Sequence, residues 1–243
     1  MNDMDAIQDV RVGTAADGDL VLLAGRAAFV PATATLLVAD VHLGKAATFR
    51  RAGIPVPEGT AQRDLDRLVR LAATHAARRV VVLGDLLHAK GGCTDAVWAE
   101  FRDCRKQIAA EIVLVLGNHD RGLATDAARL AERLGIDACV AALDEPPFRF
   151  VHEPASPRDE SAGDRTVVAG HLHPTVAITA PGGDRLVERC FVADPGAVVL
   201  PAFGSFTGGH RIATAPRRRL WVARDDGVVE VTRMAELAAR RRR

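Results

Sequence analysis

Ile112-Val113-Leu114-Val115-Leu116-Gly117-Asn118-His119-Asp120 is the stretch whose reading decides the fold. Ile112 to Leu116 is aliphatic without a polar break, which suits a strand buried on both faces. Asn118, His119 and Asp120 cannot lie within such a strand without partners, because an unpaired buried polar group is costly. They belong just beyond its C-terminal end, where open α/β sheets carry their ligand sites. Gly117 is expected to turn the backbone sharply out of the sheet. The same grammar recurs along the chain. Thr35 to Ala39 empties into Asp40-Val41-His42, and Val80 to Leu83 into Gly84-Asp85 with His88 close behind. Phe148 to Val151 empties into His152, and Val167 to Ala169 into Gly170-His171-Leu172-His173-Pro174. One histidine at a strand end is ordinary; this many strand ends in Asp, Asn or His call for a shared purpose.

The surrounding chain predicts α/β architecture. Asp19–Ala24 and Ala27–Val30 read as a hairpin turned at Gly25. Gly44–Thr60, with Lys45, Arg50 and Arg51, reads as a loop or broken helix over the strand ends. Thr60 is a candidate cap for a helix whose Leu65, Leu68, Val69 and Ala72 share one face. Asp95–Ala110 and Asp126–Leu134 are further helices, the second stopped by Gly135. Strand, helix, strand, helix, strand implies right-handed crossovers and a parallel sheet. After Phe148 helical periodicity fades and short strands follow one another: Thr166–Ala169, Val176–Thr179, Leu186–Val192, Ala197–Leu200, Leu220–Ala223 and Val228–Val231. Met234–Arg243 reads as a short helix ending in arginines. The expectation is a single domain over 1–243, an α-β-β-α sandwich of two packed mixed sheets. Its site-bearing blocks span 35–175, a β-rich completion 176–232 and a basic tail 233–243.

Bulk properties narrow the function. The 243 residues are 48% hydrophobic and 26% charged, with net charge +1, so no global field demands a polyanionic partner. Cys93, Cys104, Cys139 and Cys190 form no CxxC pair, which speaks against a zinc ribbon or a redox motif. Met1–Asp9 is polar and no stretch reaches membrane-spanning length, so a cytoplasmic location is expected. Asp, Asn and His together ligate borderline-to-hard divalent cations. So many ligands suit two metals sharing one carboxylate, about 3.5–4 Å apart, clamping the attacking and leaving oxygens of a phosphoryl displacement. A water shared by both cations, deprotonated near neutral pH, is then the expected nucleophile.

The ordered set Asp40-Val41-His42, Gly84-Asp85, Gly117-Asn118-His119-Asp120, His152 and Gly170-His171-Leu172-His173 resembles the calcineurin-like metallophosphoesterase family. A narrower resemblance, to the ligase-associated DNA-damage-response endonucleases (the PdeM group) and more distantly to SbcD-type nucleases, rests on four stretches: Asp40–Arg50, Gly84–His88, His152-Glu153-Pro154 and Leu200–Gly209. The resemblance implies the family's four-layer fold. It implies one metal held by Asp40, His42 and His173 and another by Asn118, His152 and His171, with Asp85 bridging. His119 would be the general acid and Asp120 would orient it. Val151 stands before His152 where the family often has glycine. Lys45, Arg50 and His88 are candidate substrate contacts. His171 and His173, two apart, are expected on one face of an extended segment. Arg217–Arg219 and Arg240–Arg243 are candidate grips on a nucleic-acid backbone.

The expectation is therefore a phosphodiester hydrolase, with DNA as substrate in repair and Mn2+ as metal, Fe2+ or Zn2+ being alternatives. Repair ligases, helicases and exonucleases are the partners the resemblance implies. A small-molecule phosphodiesterase or phosphatase is the alternative on the same site. A catalytically idle metal-binding partner is another, which the intact His119 argues against.

Overall fold

The computed structural model describes residues 10–13, 18–57, 59–88, 91–123, 126–154, 163–179, 185–224 and 227–240. The readings of Met1–Asp9, of most of Pro154–Arg165, of Arg241–Arg243 and of the Arg240 side chain lie outside the described residues.

The first sheet runs in chain order through β1 (Val10–Gly13), β2 (Asp19–Leu23), β3 (Ala27–Val30), β4 (Thr35–Val38), β5 (Arg79–Leu83), β6 (Glu111–Val115) and β7 (Ala138–Val140). Strands β1 to β4 are antiparallel, and β4 to β7 are parallel. The connections after β4, β5 and β6 carry α1 (Lys45–Arg51), α2 (Thr60–Thr74), α3 (Asp95–Lys106) and α4 (Ala127–Leu134). The unbroken apolar runs are explained by what each face meets. Leu36, Val38, Val80, Val82, Ile112 and Leu114 pack beneath Leu65 and Leu68 of α2, Phe101 of α3 and Leu134 of α4. Their alternates Leu37, Val81, Val113 and Val115 meet Phe148, Phe150, Val168, Phe191 and Trp221 of the second sheet.

That second sheet contains β8 (Leu143–Glu145), β9 (Phe148–Phe150), β10 (Thr166–Ala169), β11 (Pro174–Thr179), β12 (Arg185–Asp194), β13 (Ala197–Val199), β14 (His210–Arg211), β15 (Arg219–Arg224) and β16 (Gly227–Glu230). Its order is β14-β11-β12-β13-β10-β9-β8, with β15 and β16 branching from β12. The outer face of this sheet takes α5 (Thr232–Arg240), whose Ala235 packs on Val176, Cys190, Val192 and Val222. Two mixed sheets thus lie face to face with helices outside, as expected.

Several boundaries differ. Gly59, with φ +72, is the α2 cap, and Thr60 is already helical. Helix α3 stops at Lys106, where Arg105 turns back to donate to the Ile108 carbonyl. Asp126, read as the first helical residue, is instead the cap of α4 through the Arg129 amide, and Gly135 ends the helix in the left-handed conformation, as the sequence predicts. No helix among the described residues is long and apolar enough to cross a membrane.

Candidate active site

The loops that leave β4 and β5 stay paired past the end of the sheet. Asp40 donates its backbone N–H to Gly84 O, His42 to Asp85 O, Leu43 to Leu86 O, and His88 in turn to Leu43 O. From the second sheet, Gly170 donates to His152 O. The Leu200–Gly209 stretch closes on the same rim, with Phe203 donating to Ala39 O and Gly204 to Asp40 O. Asp40, His42, Asp85, His171 and His173 all have φ between +45° and +68°. Such conformations cost of order 1–3 kcal/mol for non-glycine residues and persist where the surroundings enforce them. The extended segment expected for His171–His173 is therefore not formed: both residues are left-handed, and their side chains go to different clusters.

Two clusters result. Asp40, His42 and His173 form one, and Asp85, His152 and His171 the other. In the first, His42 Nε2 lies 3.1 Å from His173 Nε2, and His173 Nε2 lies 3.3 Å from Asp40 Oδ1. In the second, His152 Nε2 lies 3.0 Å from Asn118 Oδ1, 3.1 Å from His171 Nδ1 and 3.5 Å from Asp85 Oδ1. Asp85 stands between them, with Oδ2 3.8 Å from His42 Nε2. His152 Nδ1 faces Leu83 O at 2.9 Å, a bond that fixes the tautomer and leaves Nε2 as the free lone pair.

This donor set fits divalent cations. Asp40 is fully buried; its Oδ2 accepts the His171 N–H at 2.9 Å, whereas Oδ1 has no hydrogen-bond partner and faces the histidines. An orphaned buried carboxylate oxygen beside converging imidazole nitrogens lacks a positive charge that a metal would supply. Burial, followed by His173, Lys45, His88 and His119, pushes the His42 pKa down to about 2. Burial, Lys45 and His119 push that of His88 down to about 4. Neutral imidazole is the form that binds metal.

His119 stands beside Asn118 without joining either of these two clusters. Its N–H donates to Asp85 Oδ1 at 3.0 Å, and its ring stacks on His88 at 5.1 Å and meets His42 at 5.2 Å. His88, His42 and His119 form a third grouping of nitrogens. Asp120 does not bond the His119 ring, as an orienting role suggested. Its buried carboxylate accepts the N–H groups of Leu87 (3.1 Å) and Gly117 (3.0 Å), tying together the two loops that carry Asp85 and His119. Gly117 stands where the chain turns out of the sheet, as expected, and has a second purpose. It is absent from the positive-φ glycines, but a Cβ there would lie 2.2 Å from Asp85 Oδ1. Gly117 thus leaves space for Asp85, and its carbonyl accepts the Arg121 N–H across the turn at 118–120.

Lys45 and Arg50 line a cavity of about 160 Å³ that opens beside His42 and includes Gln62, Asp64 and Phe206. The Arg217–Arg219 run is not placed to grip a ligand at the site. Arg218 pairs with both oxygens of Asp194 and Arg219 with Glu230, at the end of β12 away from His173. His75 caps α2 and its ring packs on Phe29; His210 uses its backbone N–H to hold His173 O.

Sequence reasoning missed the residues that fasten the Leu200–Gly209 loop. Buried Asp64 accepts from Ser205 N and Oγ and pairs with Arg67 at 2.9 Å. Arg67 donates to Phe203 O and stacks on its ring. Arg189 donates to the carbonyls of Gly204, Ser205 and Thr207. The signal available was an acid, Asp64, beside the apolar stripe of Leu65, Leu68 and Ala72, where an unpaired charge does not belong.

Comparison with known proteins agrees with this picture. No family model matches the chain, and no curated protein matches it either. Among solved structures, the nuclease MPE of Pseudomonas putida is 36% identical, with a TM-score of 0.72, over 92% of this chain and 100% of that one. Two more distant structures are the phosphoesterase Yfce of E. coli (16% identical, TM-score 0.39, 82% and 98% coverage) and an archaeal phosphodiesterase (13%, 0.37, 81% and 97%). With the rim of strand ends, the paired Asp/His clusters and a relative of this identity and coverage in hand, the chain belongs to the calcineurin-like metallophosphoesterases, enzymes that hydrolyse phosphate esters with metal.

Proposed function

We propose that this enzyme is a two-metal phosphodiester hydrolase acting on DNA, with a role in repair. The observation that carries the reading is Asp85, whose two carboxylate oxygens face the two ligand clusters separately, Oδ1 toward His152 and Oδ2 toward His42. Asp40, His42 and His173 would hold one ion, Asn118, His152 and His171 the other, and Asp85 both. When bound, two divalent cations supply Lewis acidity to the phosphoryl oxygens and acidify water; Mn2+ is the metal of this reading. The chain's own part is to hold these ligands in enforced backbone conformations and to deliver a proton. His119, half-buried and outside the two clusters that Asp85 faces, would donate from its ring to the leaving oxygen. Its position is set by the N–H bond to Asp85 and, indirectly, by the Asp120 brace. Lys45 and Arg50, in the cavity beside His42, would bind non-bridging oxygens.

Support for a nucleic-acid substrate comes from the nuclease relative, and DNA is what the resemblance to the repair endonucleases implies. A cytoplasmic setting and contacts with repair ligases, helicases or exonucleases belong to the same reading. The experiment is hydrolysis of bis-p-nitrophenyl phosphate and of single-stranded DNA after EDTA treatment and Mn2+ re-addition. Metal-restored cleavage of both supports the reading. Cleavage of the small diester alone would return the substrate to a small molecule, and cleavage of neither would end it.

A further inference from the structure

A second cavity, of about 340 Å³, is walled by Arg26, Arg67, Arg189 and Arg224 together with Glu188. Topology places it on the rim that carries the metal clusters. Ala28 of β3 pairs with Leu37 of β4, so the β2–β3 turn with Arg26 sits at the Asp40 end of β4. Arg189 pairs with Thr175, just after His173. Val222 pairs with Cys190, so β15 runs Arg224 to that same end.

Two of these arginines, Arg189 and Arg26, are met by neutral groups. Arg67 has Asp64. Arg189 is largely buried, which lowers its pKa, and donates to the carbonyls of Gly204, Ser205 and Thr207; no carboxylate among the described residues pairs with it. Carbonyls solvate a buried cation without neutralising it. Arg26 likewise donates to a neutral partner, Ser205 Oγ. Ser205 also joins this cavity to the catalytic one: its N–H and Oγ bind Asp64, and Asp64 lines the cavity shared by His42, Lys45 and Phe206. The two cavities are thus linked through Ser205 and the buried Asp64, with Lys45 and Phe206 on one side and the arginines on the other.

We propose that the arginine cavity is a remote subsite for a backbone phosphate of the nucleic-acid strand whose scissile bond lies at the metal clusters. The inference rests on the reading of the chain as a DNA hydrolase. Its test is binding of a labelled single strand of about a dozen nucleotides in EDTA, over a salt series. Arg26→Gln/Arg224→Gln is compared with wild type, Arg189 being left to hold its loop. The double variant is expected to bind about tenfold more weakly, and its slope of log affinity against log salt to fall by about 0.7 for each phosphate that is no longer neutralised. Arg26→Lys/Arg224→Lys, which keeps the charge, is expected to recover most of the affinity. Wild-type affinity and slope in the double variant would overturn the subsite, as would a lysine pair as weak as the glutamine pair. Thymidine monophosphate competing as well as the strand would also overturn it, assigning the cavity to a free phosphate ester. Hydrolysis of bis-p-nitrophenyl phosphate reports the metal clusters separately. A wild-type chain that leaves it intact contradicts the hydrolase reading, while the binding comparison still decides the subsite.

Discussion

Gly117→Ala is the smallest change that should disable the site. The new methyl would lie 2.2 Å from Asp85 Oδ1 and 2.4 Å from Asp85 N, closer than real Cβ atoms come to a neighbour. Asp85 is 3% exposed and its Oδ1 already accepts the His119 N–H, so it has no empty space to move into. Its carboxylate must withdraw by about 1 Å, and a misplacement of that size at a reacting centre costs about 10²-fold in rate. Overpacking of this kind costs about 1–3 kcal/mol, which lowers Tm by roughly 2–12 °C for a chain of this length. The assay is thermal unfolding in EDTA, metal content after reconstitution, and turnover of bis-p-nitrophenyl phosphate. Since Asp85 faces both clusters, metal content should fall at both sites together. Full metal content with wild-type turnover would refute the argument that Gly117 exists to make room for Asp85.

His119→Gln should retain both metals and lose about 10²–10⁴-fold on DNA, but much less on a p-nitrophenyl ester, whose leaving group departs without a proton; parallel turnover measurements decide. Asp64→Asn should destabilise the fold by about 3–5 kcal/mol in chemical denaturation, because a buried ion pair is broken on one side and the hold on Ser205 weakens. Burial pushes the Cys104 and Cys190 thiols up to about 12, so iodoacetamide at pH 8 should label neither until the chain unfolds. Folded-state pKa values raised above the unfolded 9.0 mean that the stabilisation is intact below pH 9 and declines as pH rises from there toward 12. Urea unfolding at pH 8 and pH 10 should show the decline.

The site was legible in sequence wherever a strand buried on both faces met a polar residue, because burial forbids Asp40, Asp85, Asn118 or His152 from lying within the run. The strands β1, β7, β8 and β14 were not, since two to four residues carry too little pattern. The direction of His171 and His173 was misread because an alternation rule assumes extended backbone, and the loop is left-handed at both residues. Gly117 and Asp120 were assigned only local purposes, a turn and a partner for the preceding His119, while the structure also uses each on a residue more than thirty positions away, Asp85 and Leu87 respectively. The Asp64–Arg67–Arg189 fastening joins α2 and β12 to a loop, and no local pattern encodes such long-range bonds.

Metal content of the reconstituted, folded chain tests the central claim most directly. Two equivalents of divalent metal per wild-type chain are expected. Asp85→Asn should weaken both sites at once, whereas His42→Ala should weaken mainly one. Two fully occupied metals in folded Asp85→Asn, or a wild-type chain that takes up fewer than two, would contradict the shared-carboxylate, two-metal centre.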